Sequence, residues 1–196
     1  MNLVTVIDYG GGNLKSVTNM LDALGSRYLV TNNYDEILNA EKIIFPGQGH
    51  FGQSMNSIQS QNLDKAIINA VNAGIPFLGI CVGLQVLFET SEEAPDVKGL
   101  GLLKGSVPRF TEGKIPQIGW NKLKTTENNS ILTDDYYYFV NSYYVKPEDT
   151  EIVSSYCNYG IDFAASIEKD NLIAVQFHPE KSGTAGYNAI NRWLKL

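Results

Sequence analysis

From Leu3 to Glu89 the chain alternates short apolar runs with segments of helical period, an order that points to a parallel sheet covered by helices on both faces. Leu3 to Ile7 reads as a buried strand. Asn13 then caps a helix in which Leu14, Val17, Leu21 and Leu24 recur at helical spacing, closed by Gly25. Tyr28 to Thr31 and Lys42 to Phe45 read as the second and third strands, the third ending at Pro46-Gly47. A helix from Leu63 to Ala73, with Gly74 just past its end, precedes a fourth strand, Ile75 to Ile80. That strand runs into a helix predicted from Val82 to about Glu89.

Beyond Leu100 the pattern changes to short runs rich in β-branched and aromatic residues. They lie at Gly105 to Phe110, Ile115 to Leu123, Tyr136 to Val145, Glu151 to Cys157, Phe163 to Glu168 and Leu172 to Phe177. These read as strands, several of them antiparallel, and a last helix is predicted from about Thr184 to Leu196. No linker separates the halves, so the later strands are expected to extend or flank one sheet. The expected fold class is α/β, with a mostly parallel central sheet and extra antiparallel strands in the C-terminal half. A chain of 196 residues fills one core, and residues 1–196 are expected to form a single domain.

Charge narrows the function classes. A formal net charge of -6 leaves no basic footprint for nucleic acid or an anionic membrane, so a small molecule or a protein is the expected partner. The most apolar stretch, Ile75 to Phe88, is broken by Pro76 and Gln85 and falls short of the roughly 18 residues of a membrane span. The start, MNLVTVIDYG, lacks the basic region and cleavage site of a signal peptide, and a cytoplasmic location is expected. Two cysteines do not make a disulfide framework, and two histidines are a poor start for a metal site. No cofactor and no metal are expected.

The chemistry centres on Gly79-Ile80-Cys81-Val82-Gly83, set between an apolar strand and a helix. That context makes a Gly-x-nucleophile-x-Gly elbow, in which glycines permit a sharp turn that lifts the nucleophile out of the sheet edge. The cysteine then stands at a helix N-terminus, whose partial positive charge favours the thiolate. A buried cysteine in a tight turn is the plainer alternative. A cysteine hydrolase needs a base, and the chain offers His50 and His178. His178 closes an apolar run and is followed by Pro179, which ends the strand, and Glu180 is near enough to orient the imidazole as in a catalytic triad. Pro46-Gly47-Gln48-Gly49-His50-Phe51-Gly52 reads as a glycine-rich loop whose backbone N–H groups suit an oxyanion hole. Gly10-Gly11-Gly12-Asn13 reads as a turn and helix cap, since it lacks the Lys-Ser/Thr of a phosphate-binding loop. The tyrosines from Tyr136 to Tyr144 read as sheet packing, and Cys157 as core.

Together these residues resemble class I glutamine amidotransferases of the triad type, and among them the glutaminase subunits of imidazole glycerol phosphate synthases. The resemblance runs from Val6-Ile7-Asp8-Tyr9-Gly10 and Gly12-Asn13-Leu14 through the Pro46-Gly47 loop, Gly79-Ile80-Cys81, Gln85 and Ser91-Glu92-Glu93. It continues in Gly119-Trp120-Asn121, Tyr138-Phe139-Val140, Cys157-Asn158-Tyr159-Gly160 and Gln176-Phe177-His178-Pro179-Glu180-Lys181-Ser182-Gly183, and so covers essentially the whole chain. It implies a flavodoxin-like fold and a Cys81-His178-Glu180 triad acting on L-glutamine. It also implies an oxyanion hole from Val82 and the Gly47, Gln48 and Gly49 loop. Gln85, Glu93 and the main chain of Ser142 and Tyr143 would hold the substrate. Trp120, Tyr138 and Lys181 would face a (β/α)₈-barrel cyclase subunit in a heterodimer. That partner would use the ammonia to make imidazole glycerol phosphate and AICAR in histidine biosynthesis. Two positions depart from the family pattern: Gln48 stands where valine is usual, and Asn141 where histidine is usual.

Two alternatives accompany this reading. The same glutaminase could feed a barrel partner that amidates a surface-sugar precursor. In another class, the chain could be a non-catalytic, redox-responsive flavodoxin-like protein with Cys81 as an oxidation sensor.

Overall fold

The computed structural model describes residues 3–196, so Met1 and Asn2, the start of the expected domain, lie outside the described residues. In chain order the first half runs β1 (Val4–Ile7), α1 (Leu14–Ala23), β2 (Tyr28–Thr31), α2 (Tyr34–Leu38), β3 (Lys42–Phe45), α3 (Phe51–Ser60), α4 (Leu63–Asn72), β4 (Phe77–Ile80) and α5 (Val82–Gln85). The second half runs β5 (Thr90–Ser91), β6 (Gly105–Val107), β7 (Gln117–Thr125), β8 (Tyr136–Asn141), β9 (Lys146–Pro147), β10 (Val153–Tyr159), β11 (Ile161–Lys169), β12 (Leu172–Val175) and α6 (Gly183–Trp193). Nine strands form the main sheet in the order β2-β1-β3-β4-β12-β11-β10-β7-β8. The first five are mutually parallel and the rest join antiparallel.

Burial explains this layout. β1, β3 and β4 are buried at every position, as central parallel strands covered on both faces must be. β12 returns from the end of the chain to lie beside β4, pairing Val175 with Ile80. That one register sets Cys81 and Gln176 next to each other, although 95 residues separate them in sequence. The segments that follow the carboxyl ends of β3, β4 and β12 therefore share one crevice, where ligands bind in open α/β sheets. Lys42 is buried at the start of β3 and donates from Nζ to the carbonyls of Trp193 and Leu194 at 3.0 and 3.1 Å, which fastens the end of α6 to the sheet.

Three expectations need correction. The helix predicted from Val82 to about Glu89 stops at Gln85 because the next carbonyls are claimed from far away. Val86 O accepts from Leu100 N, Leu87 O from Leu103 N and Glu89 O from Gly99 N, so no helical ladder continues. The loop read from Pro46 to Gly52 already enters α3 at Phe51, and the His50 side chain caps that helix by accepting from Gly52 N at 3.1 Å. Finally, Gly105 to Phe110 does not extend the main sheet: β6 pairs with β5 and β9 in a separate three-stranded sheet.

Candidate active site

Cys81 follows β4 with φ 55° and ψ -110°, a conformation that costs a side-chain-bearing residue roughly 1–3 kcal/mol unless its surroundings impose it. Here the imposition is visible. The Cys81 N–H donates to Val175 O at 2.8 Å, and the turn beyond it is packed too tightly for side chains. A Cβ on Gly79 would come within 2.7 Å of Gly83 O, one on Gly83 would run into Phe45 O, and one on Gly47 would meet the Gly83 nitrogen. Three glycines thus press β3, β4 and α5 together and turn the thiol into the crevice. α5 is only one turn long, and the imidazole that interacts with the Cys81 sulfur is that of His178.

His178 follows β12 and begins a 3₁₀ turn, Pro179–Lys181. β12 ends at Val175, before the expected stop at Pro179, and Pro179, which lacks an N–H, instead takes the first position of that turn. The backbone of His178 is held from β8: its N–H donates to Tyr138 O at 2.9 Å, while Ser182 Oγ donates to its carbonyl at 2.6 Å and accepts from Tyr138 N at 2.9 Å. Its Nδ1 lies 2.7 Å from Glu180 Oε1, with both side chains buried. Burial alone would drive the imidazole to its neutral form, but the Cys81 sulfur and the Glu180 carboxylate outweigh it and push His178 up to about 10.

A titration follows from those causes. Iodoacetamide converts the Cys81 sulfur to a neutral thioether and removes one of the two partners that hold the imidazolium, while burial remains. The pKa of His178 is expected to fall below about 10 in the alkylated protein, read from the pH dependence of its ring NMR shifts. An unchanged or higher value would show that the sulfur does not hold the proton there.

A cavity of about 290 Å³ gathers most of the residues singled out from sequence: Gln48, Gly49, Cys81, Val82, Gln85, Glu93, Ser142, Tyr143, His178 and Lys181 all line it. Gly47 lies behind the wall as packing, and Glu180 sits behind His178. Trp120 and Tyr138 stand outside, stacked edge to face at 5.9 Å. Glu93 has a double position, since it lines the cavity while its Oε2 accepts from Phe51 N at 2.6 Å. Tyr143 O accepts from both Gln85 Nε2, at 3.3 Å, and Asn141 Nδ2, at 2.9 Å. Sequence reasoning gave no role to Pro116, Val140 and Asn141, which complete the lining, or to Gln176, whose Nε2 lies 3.7 Å from Cys81 Sγ. A glutamine two residues before the histidine, in Gln176-Phe177-His178, was the available signal.

The second cysteine is inert by comparison. Cys157 lines an open recess of about 810 Å³ against β7, separate from the cavity of Cys81 and His178, and burial pushes its thiol up to about 12.

Residues 5–194 match the family model described as glutamine amidotransferase class-I. The imidazole glycerol phosphate synthase subunit HisH of Dehalococcoides mccartyi is 46% identical over 199 residues, covering 99% of this chain and 97% of that one. The chloroplastic imidazole glycerol phosphate synthase hisHF of Arabidopsis thaliana is 43% identical over 201 residues, covering 98% of this chain but 34% of that one. A crystal structure of a glutamine amidotransferase superposes with a TM-score of 0.79 at 18% identity, covering 97% of both chains, a likeness of fold. The chain belongs to the class I glutamine amidotransferase family.

Proposed function

We propose that this chain is the glutaminase subunit of an imidazole glycerol phosphate synthase, hydrolysing L-glutamine to glutamate and delivering ammonia for histidine biosynthesis. The observation that carries it is the strained elbow cysteine set against a buried His178–Glu180 pair. The Cys81 thiolate attacks the carboxamide carbon, and the imidazolium of His178 gives its proton to the departing ammonia. Once the sulfur is acylated it no longer holds a proton on His178, so the neutral ring takes one from water. The resulting hydroxide cleaves the thioester, releases glutamate and restores the thiolate. Val82 N–H and the loop at Gly47, Gln48 and Gly49 stabilise the oxyanion. Because Tyr143 O already accepts two donors, the substrate ammonium is assigned to Glu93 and its carboxylate to main-chain N–H groups near Ser142 and Tyr143. Gln85 completes the wall. Residues 1–196 act as one domain.

Ammonia released into water is diluted and largely protonated, so the acceptor site has to seal over the cavity. The outer face of β7 and β8 supplies a surface for that. Ile118, Trp120 and Tyr136 are 62%, 52% and 54% exposed, an apolar strip beside the cavity mouth at Val140 and Lys181. A (β/α)₈-barrel cyclase seated on this strip through Trp120, Tyr138 and Lys181 would also reach the backbone of His178 through Tyr138 and Ser182. About two thirds of the Arabidopsis relative lies beyond the matched region, room for such a partner within one chain. No helix among the described residues is long and apolar enough to cross a membrane, and we place the complex in the cytoplasm. Nothing on the molecule favours the surface-sugar acceptor, and family membership displaces the non-catalytic reading.

Steady-state glutaminase kinetics test this assignment with the chain alone, with the barrel, and with the barrel and its nucleotide ligand. Weak hydrolysis alone is expected, rising mainly in kcat in the full complex. A 100-fold rise corresponds to about 2.7 kcal/mol of coupling. Full activity in isolation, unaltered by either addition, would sink the coupling, and no glutamate release in any arm would sink the function.

A further inference from the structure

Gln176 follows β12 with 0% of its surface exposed, and its backbone N–H is fixed to Ala165 O at 2.8 Å. Its side chain joins two groups already described. Nε2 lies 3.7 Å from Cys81 Sγ, and Oε1 accepts from Gln85 Nε2 at 3.0 Å. Side-chain amides can be turned end for end, so the direction of this pair needs an independent anchor. Tyr143 O provides one. A main-chain carbonyl can only accept, so the Gln85 end facing it at 3.3 Å must be the nitrogen. The same nitrogen requires an acceptor on Gln176, and that leaves the Gln176 N–H facing the sulfur. The order of the chain is thereby set from the backbone outward.

We propose that Gln176 is a positioning residue for the nucleophile, donating a hydrogen bond to Cys81 Sγ from an amide that Gln85 and Tyr143 hold in one orientation. A donor at 3.7 Å stabilises a thiolate more than a thiol, because hydrogen bonds to charged groups are the stronger class. It also fixes the direction from which the sulfur meets the carboxamide. The catalytic consequence rests on the glutaminase assignment, whereas the contact with the sulfur does not. Other charged or titratable groups act on the sulfur as well. His178 is its direct partner, Glu180 stands behind His178, Tyr9 is buried nearby, and Glu93 and Lys181 line the same cavity. All of them stay in place when Gln176 alone is changed.

The test compares Gln176→Met, which keeps the length and removes the donor, with Gln176→Glu, which keeps the acceptor for Gln85 and donates only when protonated. The first readout is the rate of Cys81 alkylation by iodoacetamide across pH, in the full chain without glutamine. Gln176→Met is expected to move the midpoint of that profile upward by about one pH unit, the scale of one hydrogen bond to a charged group. Gln176→Glu should react progressively more slowly than the parent as pH rises and its carboxyl ionises. The second readout is kinetics in the complex, where Gln176→Met should lower kcat by roughly 10- to 100-fold with little change in KM. Packing loss alone would lower stability and leave the shape of the alkylation profile unmoved. Unshifted profiles in both variants would overturn the proposal, and the Glu variant decides if the Met variant does not fold. A parent chain that alkylates as described but never hydrolyses glutamine would instead overturn the assignment of function.

Discussion

Cys81→Ala is expected to lower kcat for glutamine hydrolysis on the order of 10⁶-fold, the loss seen when a hydrolase triad loses its nucleophile. The described residues hold no substitute. Cys157 lies in a different recess with its thiol pushed up to about 12 by burial, so it keeps its proton at any working pH. Ser142 is the one hydroxyl of a serine or threonine in the cavity lining, and it has no imidazole bound to it. The substitution also leaves the acceptor's chemistry alone, so ammonia added directly should still drive the partner's reaction. Glutamate release and ammonia-dependent turnover, measured on one preparation, separate a missing nucleophile from a misfolded subunit. Glutaminase turnover above a trace in Cys81→Ala would mean that the reaction does not pass through a Cys81 thioester.

What the sequence shows about this site is the part that depends on neighbours in the chain. β2 and β3 have the predicted limits, because each is an apolar run bounded by turn-forming residues. The elbow is legible for the same reason: its two glycines, its cysteine and the preceding strand are contiguous. His178, Pro179 and Glu180 are likewise a local statement, although the strand before them ends at Val175 rather than at the proline. The misread length of the helix at Val82 comes from distance. Whether Val82 begins a long helix or a single turn depends on Leu100, Leu103 and Gly99 taking the carbonyls of Val86, Leu87 and Glu89. No periodicity inside the helix reports that. α3 is a different kind of miss, since Phe51, Met55 and Ile58 do recur on one buried face but the glycines before them drew the reading toward a loop. The role given to Gln176 requires the pairing of β12 with β4, and only that register brings it to the sulfur.

Glu180→Gln is expected to lower kcat by about 10² to 10⁴, less than loss of the nucleophile, by comparison with amide substitution in a serine triad. The housing of this carboxylate explains why so small a change is costly. One oxygen accepts from the His178 ring at 2.7 Å, and the other is buried without a partner, at the edge of a recess lined by Val17, Met20, Leu21, Ile44, Ile80 and Ile190. A glutamine there has two orientations, and each loses something. With its oxygen toward Nδ1 the tautomer is kept, but the amide nitrogen faces apolar side chains and no acceptor, an unmade hydrogen bond of about 1–3 kcal/mol. With its nitrogen toward Nδ1 that penalty is avoided, but the ring proton is forced onto Nε2, and the neutral ring cannot take a proton from water on the side that faces the sulfur. Either orientation also removes the negative charge that helps keep His178 protonated up to about 10, so less imidazolium is available for the departing ammonia at a given pH. The deficit should therefore widen as pH rises from the neutral range toward 10, which an inert structural carboxylate would not produce. Glu168→Gln is the control, because Glu168 accepts from Ser130 N at 3.0 Å and lies outside the cavity lining. A Glu180→Gln enzyme with parental kcat at every pH, beside a Glu168→Gln enzyme that is impaired, would remove Glu180 from the triad.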